Sequence, residues 1–106
     1  MKPLPEILRS IEFNNNRYRT LKLADTHTQS DILRDLSCAF IDLTMHKIEA
    51  RNLWMNIYNK AEGTNASKER EADTEVMELS LIRDVLKAVG NQMDSIRSTL
   101  SANKAS

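Results

Sequence analysis

The sequence predicts an all-α protein, and three observations support that class. The 106 residues include only two Gly and two Pro, so the chain holds few residues that interrupt helices. Apolar residues recur every three or four positions through long stretches, as in amphipathic helices, and no clear run alternates as in a half-buried strand. We therefore expect one helical domain over residues 1–106: a long antiparallel hairpin with a short N-terminal helix.

The N-terminal helix is predicted over residues 5–13. Proline suits the first position of a helix and disfavours helical backbone in the residue before it, so Leu4-Pro5 marks the start. Apolar residues then follow at helical spacing: Leu4, Ile7, Leu8 and Ile11. The asparagines at 14–16 predict its end, because their side chains compete for backbone hydrogen bonds. Residues 17–29 are expected to form an irregular linker.

Two long helices are predicted over residues 30–62 and 65–101. Gly63 suits the left-handed backbone that follows a helix, and Thr64 or Asn65 can cap the next helix. Each helix carries an apolar stripe with coiled-coil spacing. The first stripe is Leu33, Leu36, Phe40, Leu43, Lys47, Ala50, Trp54, Ile57 and Ala61. The second is Ala72, Val76, Leu79, Ile82, Leu86, Val89, Met93, Ile96 and Leu100.

The second long helix is expected to contain one unfavourable residue and a frayed end. Gly90 lies beside the stripe, where glycine costs ~1 kcal/mol relative to alanine. We interpret it as a close helix crossing or a kink. Residues 102–106 are small and polar, and we predict that this tail frays.

A second apolar band on the two long helices is the candidate interface. Its members lie away from the stripes: Ile41, Met45 and Ile48 on the first long helix, and Met77, Leu81, Val85 and Ala88 on the second. If the chain folds back at 63–64, both sets lie at the same height, and a contiguous exposed apolar patch is unusual in a monomer. The N-terminal helix could cover one set, giving a three-helix bundle, and a second copy could cover the other, giving a dimeric four-helix bundle. We expect both, and hence a homodimer.

Trp54 and Tyr58 lie one helical turn apart near the predicted hairpin tip. Trp54 belongs to the stripe, so we expect it in the core. Tyr58 lies off the stripe and is a candidate anchor for a protein partner, because large aromatic side chains often dominate binding energy.

A short basic segment offers an alternative functional interpretation. It comprises Arg17, Tyr18, Arg19 and Lys22, so the two arginines could contact phosphates while the tyrosine stacks on a base. Fifteen Lys and Arg balance fifteen Asp and Glu, so no overall field draws the chain to nucleic acid. Nucleic acid is therefore the less favoured partner.

The sequence contains no recognisable catalytic, cofactor-binding or metal-binding motif. His46 and Glu49 share a helix face, but in the reverse order of the Glu-x-x-His motif of di-metal bundles. There is no Gly-rich phosphate loop and no Cys/His cluster for zinc. Cys38 is the only cysteine, and we expect it to be semi-buried in a reducing compartment. We expect no enzyme activity and no cofactor.

The N-terminus and the hydropathy pattern indicate a cytoplasmic protein without a membrane partner. Pro3, Pro5 and Glu6 precede any apolar run, which is unlike a signal peptide. No window approaches the ~20 apolar residues of a membrane span.

Several segments carry a family resemblance: Ala50-Arg51-Asn52-Leu53-Trp54, Tyr58, Ala61-Glu62-Gly63-Thr64-Asn65-Ala66, Glu69-Arg70-Glu71-Ala72 and Ile96-Arg97-Ser98-Thr99-Leu100-Ser101. From Leu36 onward the chain resembles a loose group of small phage- or prophage-encoded helical-hairpin proteins without established activity. The resemblance implies a phage early gene as the setting. With the second apolar band, it predicts a non-enzymatic protein that binds, and inhibits, a host or phage protein. The alternative is an accessory nucleic-acid-binding protein that uses residues 17–19.

Overall fold

The computed structural model describes residues 2–22 and 25–105, without the side chains of Lys104 and Ala105. The described residues form helices and no strand, so the predicted all-α class is confirmed. Four helices follow along the chain: α1 Leu4–Thr20, α2 Thr26–Lys60, α3 Asn65–Glu75 and α4 Glu78–Ala105. Together they form an elongated molecule of 60 × 24 × 18 Å.

Helix α1 runs through the asparagines that were predicted to end it. Asn14 is buried, with an exposed fraction of 1%, and its Nδ2 donates to the Ser10 carbonyl oxygen at 2.8 Å. Arg17 Nη1 donates to Asn14 Oδ1 at 3.2 Å. The predicted helix end at 13 is therefore wrong, because burial and these bonds within the helix satisfy the amide that was expected to disrupt it.

The predicted linker at 17–29 is also wrong in its bounds. Helix α1 continues to Thr20, and α2 begins at Thr26. Leu23 and Ala24 of that linker lie outside the described residues. The start of α2 is fixed by Asp25, whose Oδ1 accepts from the Thr28 backbone N–H at 3.0 Å. A carboxylate in this capping position satisfies a donor that has no partner within the helix.

The turn between α2 and α3 uses the residues that the sequence suggested. Helix α2 ends at Lys60, and Gly63 has a φ of +116°, which glycine adopts without strain. Thr64 caps α3, since its Oγ1 accepts from the Ser67 backbone N–H at 3.2 Å.

The predicted helix over 65–101 is interrupted, so that prediction is wrong. Helix α3 ends at Glu75, and Val76 leaves helical backbone with φ −121° and ψ 57°. Valine has a reduced helix propensity because it is β-branched. The turn keeps Val76 buried and leaves Met77 exposed, with an exposed fraction of 73%.

Helix α4 runs further than predicted and contains no break at Gly90. It continues to Ala105, so the backbone of the predicted frayed tail is helical as far as it is described. A Cβ built on Gly90 would lie 3.7 Å from Phe40 Cε2, which is ordinary van der Waals contact. Gly90 therefore marks neither a kink nor a crossing that requires glycine.

Helix α2 is the central element and packs against α1, α3 and α4. Helix α1 runs antiparallel to it: Arg17 Nη1 lies 3.6 Å from Asp35 Oδ2, while His46 Nε2 donates to the Lys2 carbonyl oxygen at 2.8 Å. Helix α1 therefore covers the N-terminal part of α2. Residues 47–60 of α2 extend beyond the start of α1.

The core lies between α2 and the other three helices, where eight of the nine residues of the second predicted stripe and three of the nine of the first are buried. The buried apolar residues are Ile7, Ile11, Ile32, Leu36, Ala39, Leu43, Ala50, Ala72, Val76, Leu79, Ile82, Leu86, Val89, Met93 and Ile96. The predicted stripes account for every buried apolar residue of α3 and α4, and for Leu36, Leu43 and Ala50 of α2. On α2, Ile32 and Ala39 were missed, and Ala39 lies beside Ile7 and Ser10 of α1.

Candidate protein-binding surface

One side of α2 carries a row of exposed apolar side chains. The exposed fractions are 63% for Ile41, 49% for Met45, 50% for Ile48 and 44% for Met55. Positions 41, 45, 48 and 55 recur at the spacing of a single helical stripe. We call these four residues the outer α2 stripe.

Most of the outer α2 stripe faces away from the rest of the described chain, and only Met55 borders a groove that α4 also lines. With about 100° per residue, the outer α2 stripe lies roughly 135° around α2 from the side that holds Asp35 and His46, which contact α1. It lies roughly 135° from the side that contacts α4 by the same count. Helix α1 therefore does not cover Ile41, Met45 or Ile48.

The apolar set on α4 has a different environment. Val85 is half-buried and lines a groove with Leu8 and Ala88, so α1 borders this part of the set. Leu81 and Met77 are exposed, with fractions of 48% and 73%. Leu81 lies roughly 180° around α4 from Gly90, which is beside Phe40 of α2, at about 100° per residue.

The two predicted sets therefore do not form one continuous band. The antiparallel packing places them at similar heights, because Phe40 of α2 lies beside Gly90 of α4. The rotation of each helix about its own axis then turns the α2 set and the α4 set to different sides of the molecule.

Trp54 and Tyr58 connect α2 to α3. Their rings stack with centroids 5.3 Å apart and planes 12° from parallel. Trp54 Nε1 donates to Asp73 Oδ1 at 2.8 Å, and the Tyr58 hydroxyl donates to Asn65 Oδ1 at 3.2 Å. Lys68 Nζ lies 5.8 Å from the Tyr58 ring centroid. The polar atoms of both aromatic residues are thus engaged within the chain, and the role of Tyr58 as a partner anchor stays a prediction.

Of the predicted nucleic-acid contacts, Arg17 and Lys22 line one groove at the end of α1, whereas Tyr18 and Arg19 do not line it. Arg17 lies 3.6 Å from the Asp35 carboxylate, and Tyr18 is half-buried against the core. Arg19 follows two residues after Arg17 on the same helix, so the two side chains leave α1 in nearly opposite directions. Lys22 is exposed beyond the end of α1.

The groups that were considered for catalysis also remain separate. Cys38 is exposed, so the expectation that it is semi-buried is wrong; it lies at the edge of the α1–α2 contact instead of inside it. His46 Nε2 is hydrogen-bonded to the Lys2 carbonyl oxygen. Within residues 2–22 and 25–105, no group of three or more His, Cys, Asp or Glu residues is arranged to hold a metal ion.

A basic face that the sequence reasoning missed lies beside the outer α2 stripe. Arg51, Met55 and Arg83 line one groove between α2 and α4. Ile48 precedes Arg51 by three residues and Lys87 follows Arg83 by four, so each shares its neighbour's helix face. We call these five residues the α2–α4 basic face. The sequence could have identified this basic face. In an antiparallel hairpin that turns near residue 63, residues at equal distances from the turn lie side by side, which brings Arg51 near the start of α4.

Comparisons with protein-family models, curated proteins and solved structures found no match for this chain. None of the described helices is long and apolar enough to cross a membrane. The resemblance to phage hairpin proteins stays a prediction.

Proposed function

We propose that this chain is a non-enzymatic protein-interaction module whose contact surface is centred on the outer α2 stripe. The observation that carries the proposal is the exposure of Ile41, Met45 and Ile48, at 49–63%, in the middle of a 35-residue helix. Full burial of such a side chain contributes about 1.5–3 kcal/mol, so a partner that covers the stripe would gain substantial binding energy.

A different protein, rather than a second copy of this chain, is the partner that the flanking charges favour. If two copies paired α2 against α2 in antiparallel fashion about Met45, Asp42 of one copy would lie beside Glu49 of the other. Like charges facing each other across an interface oppose association. The competing arrangement is a homodimer that forms a dimeric four-helix bundle. In the arrangement proposed here, α1, α2 and α4 of a single chain pack as a three-helix bundle.

The cellular setting forms part of the proposal. The resemblance to phage and prophage hairpin proteins supports a phage early gene and inhibition of the bound host or phage protein. A reducing cytoplasm fits the exposed Cys38, because an exposed thiol would form intermolecular disulfides in an oxidising compartment.

Affinity capture from a lysate of the host cell tests the proposal. The tagged wild-type chain is compared with an Ile41→Glu, Ile48→Glu double variant, in which two carboxylates replace the stripe's exposed apolar groups. A Met77→Glu, Leu81→Glu variant is the matched control, because it introduces the same charges at two exposed apolar residues, one just before α4 and one near its start.

We expect the wild type and the control to capture one protein at near-stoichiometric level, and the stripe variant to lose it. Circular dichroism checks that all three chains remain helical. Recovery of no specific protein by the wild type, or equal recovery by all three chains, contradicts the proposal. Light scattering after size exclusion detects the competing homodimer: a dimer that dissociates only in the stripe variant identifies a second copy as the partner.

A further inference from the structure

The α2–α4 basic face combines apolar and basic side chains in a regular pattern. On α2, Ile48, Arg51 and Met55 succeed one another along two helical turns. Across the groove, Arg83 and Lys87 lie one turn apart on α4. Arg51, Met55, Arg83 and Lys87 are exposed, and Ile48 has an exposed fraction of 50%.

The positive charges of this face are not neutralised within the described chain. Arg51, Arg83 and Lys87 form no ion pair with any described carboxylate, whereas Arg17 and Arg97 do. Lys47 lies one turn before Arg51 and is likewise without an ion pair among the described residues.

Among the described residues, Asp73 is the one acidic side chain that lines the groove with Arg51 and Arg83. Its Oδ1 already accepts the hydrogen bond from Trp54 Nε1 at 2.8 Å. The groove therefore keeps a net positive charge, and a carboxylate from another molecule would find unpaired cationic donors on both of its sides.

We propose that the α2–α4 basic face binds an acidic amphipathic helix of another protein. This inference rests on the proposed function and specifies the partner's chemistry. Ile48 and Met55 are seven residues apart, about 10.5 Å along α2, which matches two apolar residues spaced by two turns on a partner helix. Glu or Asp residues beside that apolar row pair with Arg51, Arg83 and Lys87.

A nucleic acid is the competing ligand for a basic surface, and the apolar residues disfavour it. Ile48 and Met55 alternate with Arg51 along α2, so a phosphate backbone that follows the cations would leave both apolar side chains unburied. An amphipathic helix buries the apolar side chains and pairs the cations together.

Binding of synthetic peptides to the full chain tests the inference. The probe is a fluorescently labelled peptide of about 18 residues, or five helical turns, with Leu at helical spacing and Glu elsewhere. Three comparison ligands are used: the same pattern with Lys in place of Glu, a scrambled peptide of the same acidic composition, and a short DNA duplex. Anisotropy measures affinity, and emission from Trp54, which lines the groove and is the chain's one tryptophan, reports the location.

We expect the acidic amphipathic peptide to bind at least about tenfold more tightly than each comparison ligand, which is the effect of one or two desolvated ion pairs. The peptide also changes the Trp54 emission. Raising the salt concentration from low levels to about 0.3 M weakens binding, because added ions screen exposed charges.

Two charge-reversal variants test whether the cations of this face are responsible. Arg51→Glu with Arg83→Glu is expected to lower the affinity at least about tenfold, as lost charge pairs and new like-charge contacts predict. Arg9→Glu with Lys22→Glu changes the net charge equally at exposed residues on and beside α1, and should keep the wild-type affinity. Lys87→Glu is a further variant: Lys87 lies one helical turn after Arg83, outside the groove that Trp54 and Arg83 line.

Three results would overturn the inference: no saturable binding of the acidic amphipathic peptide, equal binding of the scrambled or basic peptide, or tighter binding of the duplex. Equal affinities of the two charge-reversal variants would overturn it as well. If the wild type still captures a protein that the Ile41→Glu, Ile48→Glu variant loses, the proposed function stands while this inference fails.

Discussion

The indole Nε1 of Trp54 donates a hydrogen bond of 2.8 Å to Oδ1 of Asp73, which joins α2 to α3 shortly before the turn at Val76. Helix α3 buries only Ala72 among its described residues. Its attachment to α2 therefore depends on the aromatic and polar contacts at this end more than on apolar burial.

Replacing Asp73 by alanine should lower the free energy of unfolding by about 1 kcal/mol, the usual net contribution of one hydrogen bond. Asp73→Asn keeps an acceptor oxygen for the indole and should cost less. Urea denaturation, followed by circular dichroism and by Trp54 fluorescence, measures both variants. An Asp73→Ala chain as stable as the wild type would show that the bond contributes nothing.

The buried and exposed apolar residues of α2 should differ sharply in their response to truncation. Leu36 has an exposed fraction of 0%, so Leu36→Ala leaves a cavity and should cost about 2–5 kcal/mol. Ile41 has an exposed fraction of 63%, and Ile41→Ala should stay within about 0.5 kcal/mol of the wild type. Chemical denaturation of the two single variants makes the comparison. A loss of stability at Ile41 equal to that at Leu36 would mean that Ile41 is covered in solution.

Periodicity was a good guide to the core because burial on a helix recurs with the helical repeat. Leu36 and Ile82, both members of the predicted stripes, have exposed fractions of 0% and 1%. Ala39 was missed because α1 adds a second buried side to α2, where Ala39 lies beside Ile7. The stripes were predicted for the contact between two long helices, so they do not include the side of α2 that faces a third helix.

Local sequence signals failed where tertiary contacts decided the backbone. The amide of Asn14 is buried within α1, although three consecutive asparagines usually favour an end to the helix. Val76 ends α3 within a stripe that appeared continuous. The apolar periodicity shows which side chains are buried and does not show the backbone conformation. Because the turn keeps Val76 buried, the apolar spacing continues through it, and the break in the helix is not visible in the sequence.

The candidate surface was predicted in part. Exposure of Ile41, Met45 and Ile48 agrees with a position outside the stripe. The separation of these residues from Leu81 was not predicted. The turn determines which residues lie at the same position along the hairpin, and it does not determine how each helix is rotated about its own axis. Arg51 and Arg83 were missed because they are far apart in the sequence and come together only across the groove between α2 and α4.

Gly90 and Gly63 should respond to alanine in opposite directions. A Cβ at Gly90 meets Phe40 Cε2 at 3.7 Å without overlap, so Gly90→Ala should stabilise the chain by about 0.5–1 kcal/mol through helix propensity and reduced unfolded-state entropy. Gly63 has a φ of +116°, where a side chain is strained, so Gly63→Ala should destabilise it by about 1–3 kcal/mol. Thermal and urea denaturation of the two variants measure the signs. A destabilised Gly90→Ala chain would show that Phe40 cannot accommodate the added methyl group.

The Asp25 cap should make the stability of α2 depend on pH in the acidic range. The Thr28 backbone N–H lowers the pKa of the Asp25 carboxyl most, and the Thr28 hydroxyl lowers it further. Desolvation opposes this shift, and His27 adds the smallest lowering effect. Because the pKa is lower in the folded chain, the charged cap stabilises the fold fully above the usual aspartate pKa of about 3.9. That contribution is lost as the pH falls through the folded-state pKa.

Asp25→Asn separates this charge effect from capping itself, since asparagine caps helices well without titrating. The wild type should exceed Asp25→Asn in stability near pH 6, and the difference should shrink as the pH falls below about 4. Thr64→Ala is the control: it removes an uncharged cap on Ser67, so its cost of about 0.5–2 kcal/mol should not change with pH over the same range. Urea denaturation at several pH values gives all three curves. A difference between wild type and Asp25→Asn that stays constant with pH would show that the Asp25 charge does not stabilise the fold.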